Sequence, residues 1–186
     1  MKINVKTAGI FPMPVLMVAT YNADGSVDVM NAAWGTMVEP DIVALNLTAS
    51  HKTVKNILER KAFTVAFADA AHVAECDYLG IVSGNNFPDK FAKTGLTATK
   101  SDKVDAPIIN ELPVSMECEF IEYQDGAYGL GVIGKIVGTV ADEKIVKSGK
   151  VDVEKMQAIA FDTYTLGYYK VTERVGEAFR EGKKLK

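Results

Sequence analysis

Cysteine, histidine and tryptophan are scarce in this chain of 186 residues, which holds two cysteines, two histidines and one tryptophan. Cys76 and Cys118 stand in apolar surroundings and neither belongs to a Cys-x-x-Cys pair. That excludes a disulfide scaffold or a structural zinc site as the organising principle, and a cytoplasmic location is the simplest expectation. His51 and His72 have no metal-pair spacing. A long apolar run is missing too. Gly9 to Thr20 is broken by Pro12 and Pro14 and falls well short of the roughly 20 residues that cross a membrane as a helix. It has neither the basic start nor the cleavage site of a signal peptide, so a soluble protein with no membrane partner is expected. Charge of one sign is absent as well: 21 basic and 24 acidic residues interleave to a net −3. Without a basic stripe, nucleic acid is a poor partner. No linker or repeat divides residues 1–186, which read as one domain.

What is present is ordinary globular composition, 48% hydrophobic and 24% charged, patterned largely for β-structure. Val15 to Tyr21 and the alternating Val27 to Met30 flank Asn22-Ala23-Asp24-Gly25, a hairpin signal. Ile42 to Ala49 reads as a third strand after the break at Pro40-Asp41. Val54, Ile57 and Leu58 give Lys52 to Lys61 helical periodicity, and Phe63 to Phe67 returns to period two. Asp69 is placed to cap a helix over His72 to Ile81. Ser83 to Asp89 is loop chemistry throughout. Val114 to Phe120 alternates as a half-buried strand, and Gln124-Asp125-Gly126 turns it into a β-rich segment from Ala127 to Val140. A short helix near Val153 to Ala160, a strand near Leu166 to Lys170 and a terminal helix complete the reading. Strands dominate, so a barrel-like antiparallel β core with covering helices is expected.

Gly129-Leu130-Gly131-Val132-Ile133-Gly134 spells the dinucleotide fingerprint, yet β-branched residues rather than a helix follow it. Its glycines fit bends in a curved strand better. Thr48-Ala49-Ser50-His51-Lys52-Thr53 is more informative. Lys52 and Lys55 sit at a helix start, where the dipole disfavours cations by about 0.3–1 kcal/mol each. Two readings stay open here: a seat for an anion, phosphate above all, or Ser50 as N-cap with solvated lysines. Upstream, Asn31 offers a donor and an acceptor, and Ala32 and Ala33 would let a flat ligand lie on backbone. Trp34 by itself reads as a core aromatic. Tyr164, Tyr168 and Tyr169 are more readily core than the lining of a nicotinamide pocket.

Taken together, Val29 to Gly35, Ser50 to Thr53, Asn56 to Phe63, His72 to Gly80, Ser83-Gly84, Asp89 to Phe91, Thr94 to Thr97, Val104 to Pro107 and Gly131 to Ile136 form an ordered series. In order and spacing, from about Pro14 to Val140, that series resembles the flavin reductase-like family, most of all its flavoredoxin branch. No one motif carries the likeness; the ensemble does. It implies an FMN-binding split β-barrel, mainly β with covering helices, antiparallel and Greek-key-like. It implies a homodimer with each flavin near the subunit interface. Asn31, Ala32, Ala33 and Trp34 would lie along the isoalloxazine. Thr48, Ala49, Ser50, His51, Lys52 and Thr53 would surround the ribityl phosphate, in agreement with the anion argument. Ser83, Gly84, Lys90 and Phe91 would close over the cofactor, although Lys90 taken alone reads as solvated surface. Family members often carry arginine near the phosphate; here Thr48 and Lys52 share that region. The implied activity is hydride transfer from NAD(P)H through FMN to an acceptor or second flavin, which requires no protein acid or base. The alternative is an FMN electron carrier or flavin-binding protein served by a redox protein, without NAD(P)H turnover of its own. A pyridoxine-phosphate oxidase relative fits less well, because arginines for a second phosphate are absent.

Overall fold

The computed structural model describes residues 1–126 and 128–185. A two-residue strand, β1 (Met13–Pro14), precedes the expected hairpin of β2 (Leu16–Tyr21) and β3 (Val27–Ala32). Gly25 closes that turn at φ 84°, a left-handed conformation open to glycine at no steric cost. A second hairpin, β4 (Gly35–Glu39) and β5 (Ile42–Leu45), bends at Pro40-Asp41. Then follow α1 (Lys52–Arg60), β6 (Ala62–Phe67), α2 (Val73–Ile81) and the short α3 (Lys90–Lys93). β7 (Ala98–Lys100) and β8 (Pro107–Ile109) pair as a small ribbon, and β9 (Val114–Gln124) and β10 (Gly131–Ala141) are the longest strands. The chain continues through β11 (Val146–Lys147), β12 (Lys150–Val151), α4 (Val153–Met156), β13 (Ile159–Asp162) and β14 (Gly167–Lys170).

Seven strands form one antiparallel sheet in the order β3-β2-β6-β9-β10-β5-β4, curled into the half-barrel of a split-barrel fold. Its centre is apolar on both faces, which is why β2 is a continuous hydrophobic run. Leu16 and Val18 pack with Phe63, Val65 and Val132 beneath Val54 and Ile57 of α1. On the other face Val15, Met17 and Ala19 pack with Val29 beneath Cys76 and Leu79 of α2. Each of the Val, Leu, Ile, Phe and Met side chains contributes about 1.5–3 kcal/mol on burial. The two helices therefore sit on opposite faces, and both also touch β3.

The glycines of the false dinucleotide motif do bend a strand. β10 slips register against β9 between Ile133 and Gly134 and again between Ile136 and Gly138. A Cβ at Gly134 would strike the Phe63 ring, so the bend lets that ring fill the core. The cap of α2 is shared: His72 is the N-cap residue, while Asp69 Oδ1 accepts from the Ala71 and His72 amides at 3.1 and 3.0 Å. Burial pushes both cysteine thiols up to about 12, which leaves them without thiolate chemistry.

Several expectations are corrected. The third strand stops at Leu45 rather than Ala49, because the Leu47 amide turns back onto the Leu45 carbonyl. The strand β4 gave no signal, since its side chains are exposed on both faces and do not alternate. The helix near Val153 to Ala160 ends at Met156; Gln157 turns left-handed at φ 53° and Ile159 enters β13. A short 3-10 turn, Glu181–Leu185, stands in place of the terminal helix. Ala127, where the β-rich segment was expected to open, lies outside the described residues.

Candidate functional site

α1 begins without a lid on its amides. Its N-cap position is His51, no side chain caps it, and its first turn contains no acid. First-turn amides have no intrahelical partner, and the dipole there is positive. Ser50 is thus not the cap: its hydroxyl lies 3.1 Å from the Thr48 hydroxyl, in an exposed turn that also holds Ala49. The Ser50 carbonyl accepts from Asn85 Nδ2 at 3.0 Å, and Lys55 Nζ donates to Asn85 Oδ1 at 2.9 Å. Asn85, which the sequence reading passed over, ties the Ser83–Asp89 loop to the helix start and occupies Lys55. Lys52 stays beside the opening.

That opening is a cavity of about 160 Å³ bounded by Met30, His51, Lys52, Thr53, Gly84 and Lys90. Ser83 lines it too, so six of the residues expected around the cofactor meet there. Lys90 is not solvated surface; it is 3% exposed. Its ammonium donates to the Leu79 and Val82 carbonyls at the end of α2, at 3.0 and 2.9 Å. A lysine has three donors, so one is left over. Burial pulls the Lys90 ammonium below the ordinary lysine range, and the Asp28 carboxylate partly restores it. Asp28 is buried and accepts from the Thr53 hydroxyl at 2.5 Å. The Thr53 hydroxyl is therefore engaged inward, toward β3. A Cβ on Gly84 would run into the Asp28 carboxylate, so only glycine lets the loop approach this closely. Phe91, by contrast, belongs to the core beneath α2 with Leu79 and Val29, away from the cavity lining.

Gly80 and Ile81 are shared with a second cavity, of about 190 Å³, walled by Asn31, Ala33, Trp34, Asp77 and Tyr168. Trp34 leads on to a third, of about 370 Å³, beside Pro14, Thr36, Asn46 and Leu130. The three make one trough from the start of α1 past the end of β3 to the β4–β5 hairpin. Asn31 Nδ2 donates to the Cys76 carbonyl at 3.1 Å, and Gly80 leaves room for α2 to pack on it. Ala33 lines the trough, whereas Ala32 faces the core under α1. Trp34 is 59% exposed, which corrects its reading as a core aromatic. It stands at the corner between β3 and β4, beyond either covering helix.

Of the three tyrosines only Tyr168 lines the trough; its hydroxyl donates to Asp77 Oδ1 at 2.8 Å. Burial and that carboxylate push Tyr168 up to about 12. Asp28, Asp77 and Asn85 went unread because each acts through partners distant in sequence. A larger cavity, about 680 Å³, lies elsewhere, between the β11–β12 ribbon, α4 and residues 171–174. Three acids, Asp152, Glu154 and Glu173, and three cations, Lys147, Lys150 and Arg174, line it together. Among the described residues no three His, Cys, Asp or Glu are grouped to hold a metal, and no helix is long and apolar enough to cross a membrane.

The flavin reductase like domain model matches residues 8–169. A curated protein of Aeropyrum pernix, described as uncharacterized, is 30% identical over 112 residues; the match spans 59% of this chain and 43% of that protein. Flavoredoxin of Desulfovibrio vulgaris (Miyazaki F) superposes with a TM-score of 0.90 at 34% identity, over 98% of this chain and 100% of that one. Flavoredoxin from Methanosarcina acetivorans gives 0.86 at 26% identity, over 100% and 98%. The matched segment contains the whole seven-stranded sheet and every wall of the trough, and on that basis the chain belongs to the flavin reductase-like family.

Proposed function

We propose that the trough holds FMN and that the protein is an oxidoreductase passing hydride from NADH or NADPH through the flavin to an acceptor or second flavin. One observation carries the reading: the uncapped start of α1 opens on a cavity that is also lined by Lys90, whose ammonium is held by the Leu79 and Val82 carbonyls. Free amides, a helix dipole and two lysines together suit a phosphate. The cavity is small, and Asn85 fastens its loop, which suits the terminal phosphate of FMN better than the diphosphate of FAD. When bound, FMN supplies the hydride and electron transfer. The chain positions it: Lys52 and the first-turn amides hold the phosphate, and Asn31 and Ala33 give the ring a flat floor.

The flavoredoxin likeness over nearly the full length favours a second reading, an electron carrier without NAD(P)H turnover. Anaerobic addition of NADH and NADPH to the yellow protein separates the two. Bleaching within seconds is expected, with FMN as the released cofactor. Bleaching by dithionite alone would favour the carrier. Recovery of FAD, or a colourless protein indifferent to FMN, would remove both.

Assembly enters the same proposal. Trp34, Met37 and Val38 are exposed along the β4 edge, continuous with the trough. A twofold homodimer, the commonest closed symmetry, would cover them and wall the ring site. Sedimentation is expected to give a dimer at micromolar concentration; a monomer with flavin still bound would contradict it.

A further inference from the structure

The second cavity contains an ionic group that phosphate and ring binding do not use. Asp77, on α2, lines it with Asn31, Ala33, Trp34 and Tyr168. It is half-buried, and among the described residues it has no ion-pair partner. Its carboxylate accepts from the Tyr168 hydroxyl, and Asn31 commits an amide N–H to the Cys76 carbonyl. The lysines of the trough stand in the neighbouring cavity with the phosphate seat, not here.

We propose that Asp77 is a tuning residue that lowers the reduction potential of the flavin seated in the trough. The proposal rests on the FMN reading above. The oxidised ring is neutral. Two electrons and one proton convert it to a ring with a single negative charge at neutral pH. A fixed carboxylate in the same partly desolvated cavity repels that product more than the starting ring. The protein then binds reduced FMN less tightly than oxidised FMN, and by linkage the potential falls. Tyr168 holds the carboxylate in place from β14 without cancelling its charge. The reduced holoprotein becomes a stronger donor, suited to discharging its electrons onward.

Asp77→Asn keeps the shape and an acceptor for Tyr168 but removes the charge. Tyr168→Phe keeps the charge and removes the donor. Each FMN-loaded protein would be titrated anaerobically with dithionite against a reference dye, with the affinity for oxidised FMN measured by fluorescence quenching. Asp77→Asn is expected to bind reduced FMN about tenfold more tightly relative to oxidised FMN, an upward shift of about 30 mV in the two-electron potential. Asp77→Ser, smaller but equally uncharged, should shift the same way and serves if the first variant folds poorly. Tyr168→Phe should not rise. An unshifted or lowered potential in Asp77→Asn, or an equal rise in Tyr168→Phe, would overturn the proposal. Wild-type protein that binds no FMN would overturn the seat itself. Wild-type binding beside an unmoved Asp77→Asn potential would overturn the tuning role alone.

Discussion

Lys90→Met is expected to weaken the fold and the cofactor site together. The substitution removes the donor of two carbonyls at the end of α2. Hydrogen bonds to a charged group contribute about 1.5–3 kcal/mol, and buried carbonyls left alone add a penalty. A urea unfolding midpoint lowered by the equivalent of about 2–4 kcal/mol is expected. Because Lys90 holds the Ser83–Gly84 end of the trough to α2, FMN affinity should fall about ten- to a hundredfold as well. The stability gap should also depend on pH. Burial keeps Lys90 below the ordinary lysine range, so the unfolded chain takes up the proton more readily. Wild type should then gain stability relative to Lys90→Met as pH rises through the window between the folded value and that range. An unchanged midpoint at every pH would mean that the ammonium is not buried as described.

The second large effect belongs to Lys52, the lysine beside the open helix start. Lys52→Ala should cost about 1.5–3 kcal/mol of FMN binding, or about ten- to a hundredfold. Riboflavin, which has the ring but no phosphate, should bind nearly as well as before. The apoprotein should be unchanged or slightly more stable, by about 0.3–1 kcal/mol, because a cation has left a positive helix end. Equal losses for FMN and riboflavin would mean that Lys52 supports the ring or the fold instead.

The place of Lys52 at a helix start was readable from sequence because its signal is local: cations where a helix dipole resists them. The half-barrel was readable for a similar reason, through the apolar run of β2 and the alternation of β9. Even β9 misleads about what covers it. Ser115 and Glu117 belong to its polar face, yet both are buried, and Glu117, 2% exposed, accepts from the Ser101 hydroxyl at 2.6 Å. Alternation reveals a strand; it does not reveal a second layer folded over the polar side.

Lys90 and Trp34 fail in opposite directions. Residue-type tendencies predict an exposed lysine and a buried tryptophan. The end of α2 supplies carbonyls that make lysine burial worthwhile, and the corner beyond β3 has nothing to bury a ring against. Asp77 and Tyr168 meet across 91 residues, a contact that no window of sequence contains. The family resemblance brought Lys90 to the site without its mechanism and missed Asp28, Asp77 and Asn85.

The most direct measurement is a crystal structure of the protein grown with FMN. The phosphate should lie among Lys52, Thr53, Ser83 and Gly84. The ring should extend along Asn31 and Ala33 toward Trp34. Flavin in the larger cavity near Glu154 and Arg174, or a phosphate turned away from the start of α1, would contradict the account.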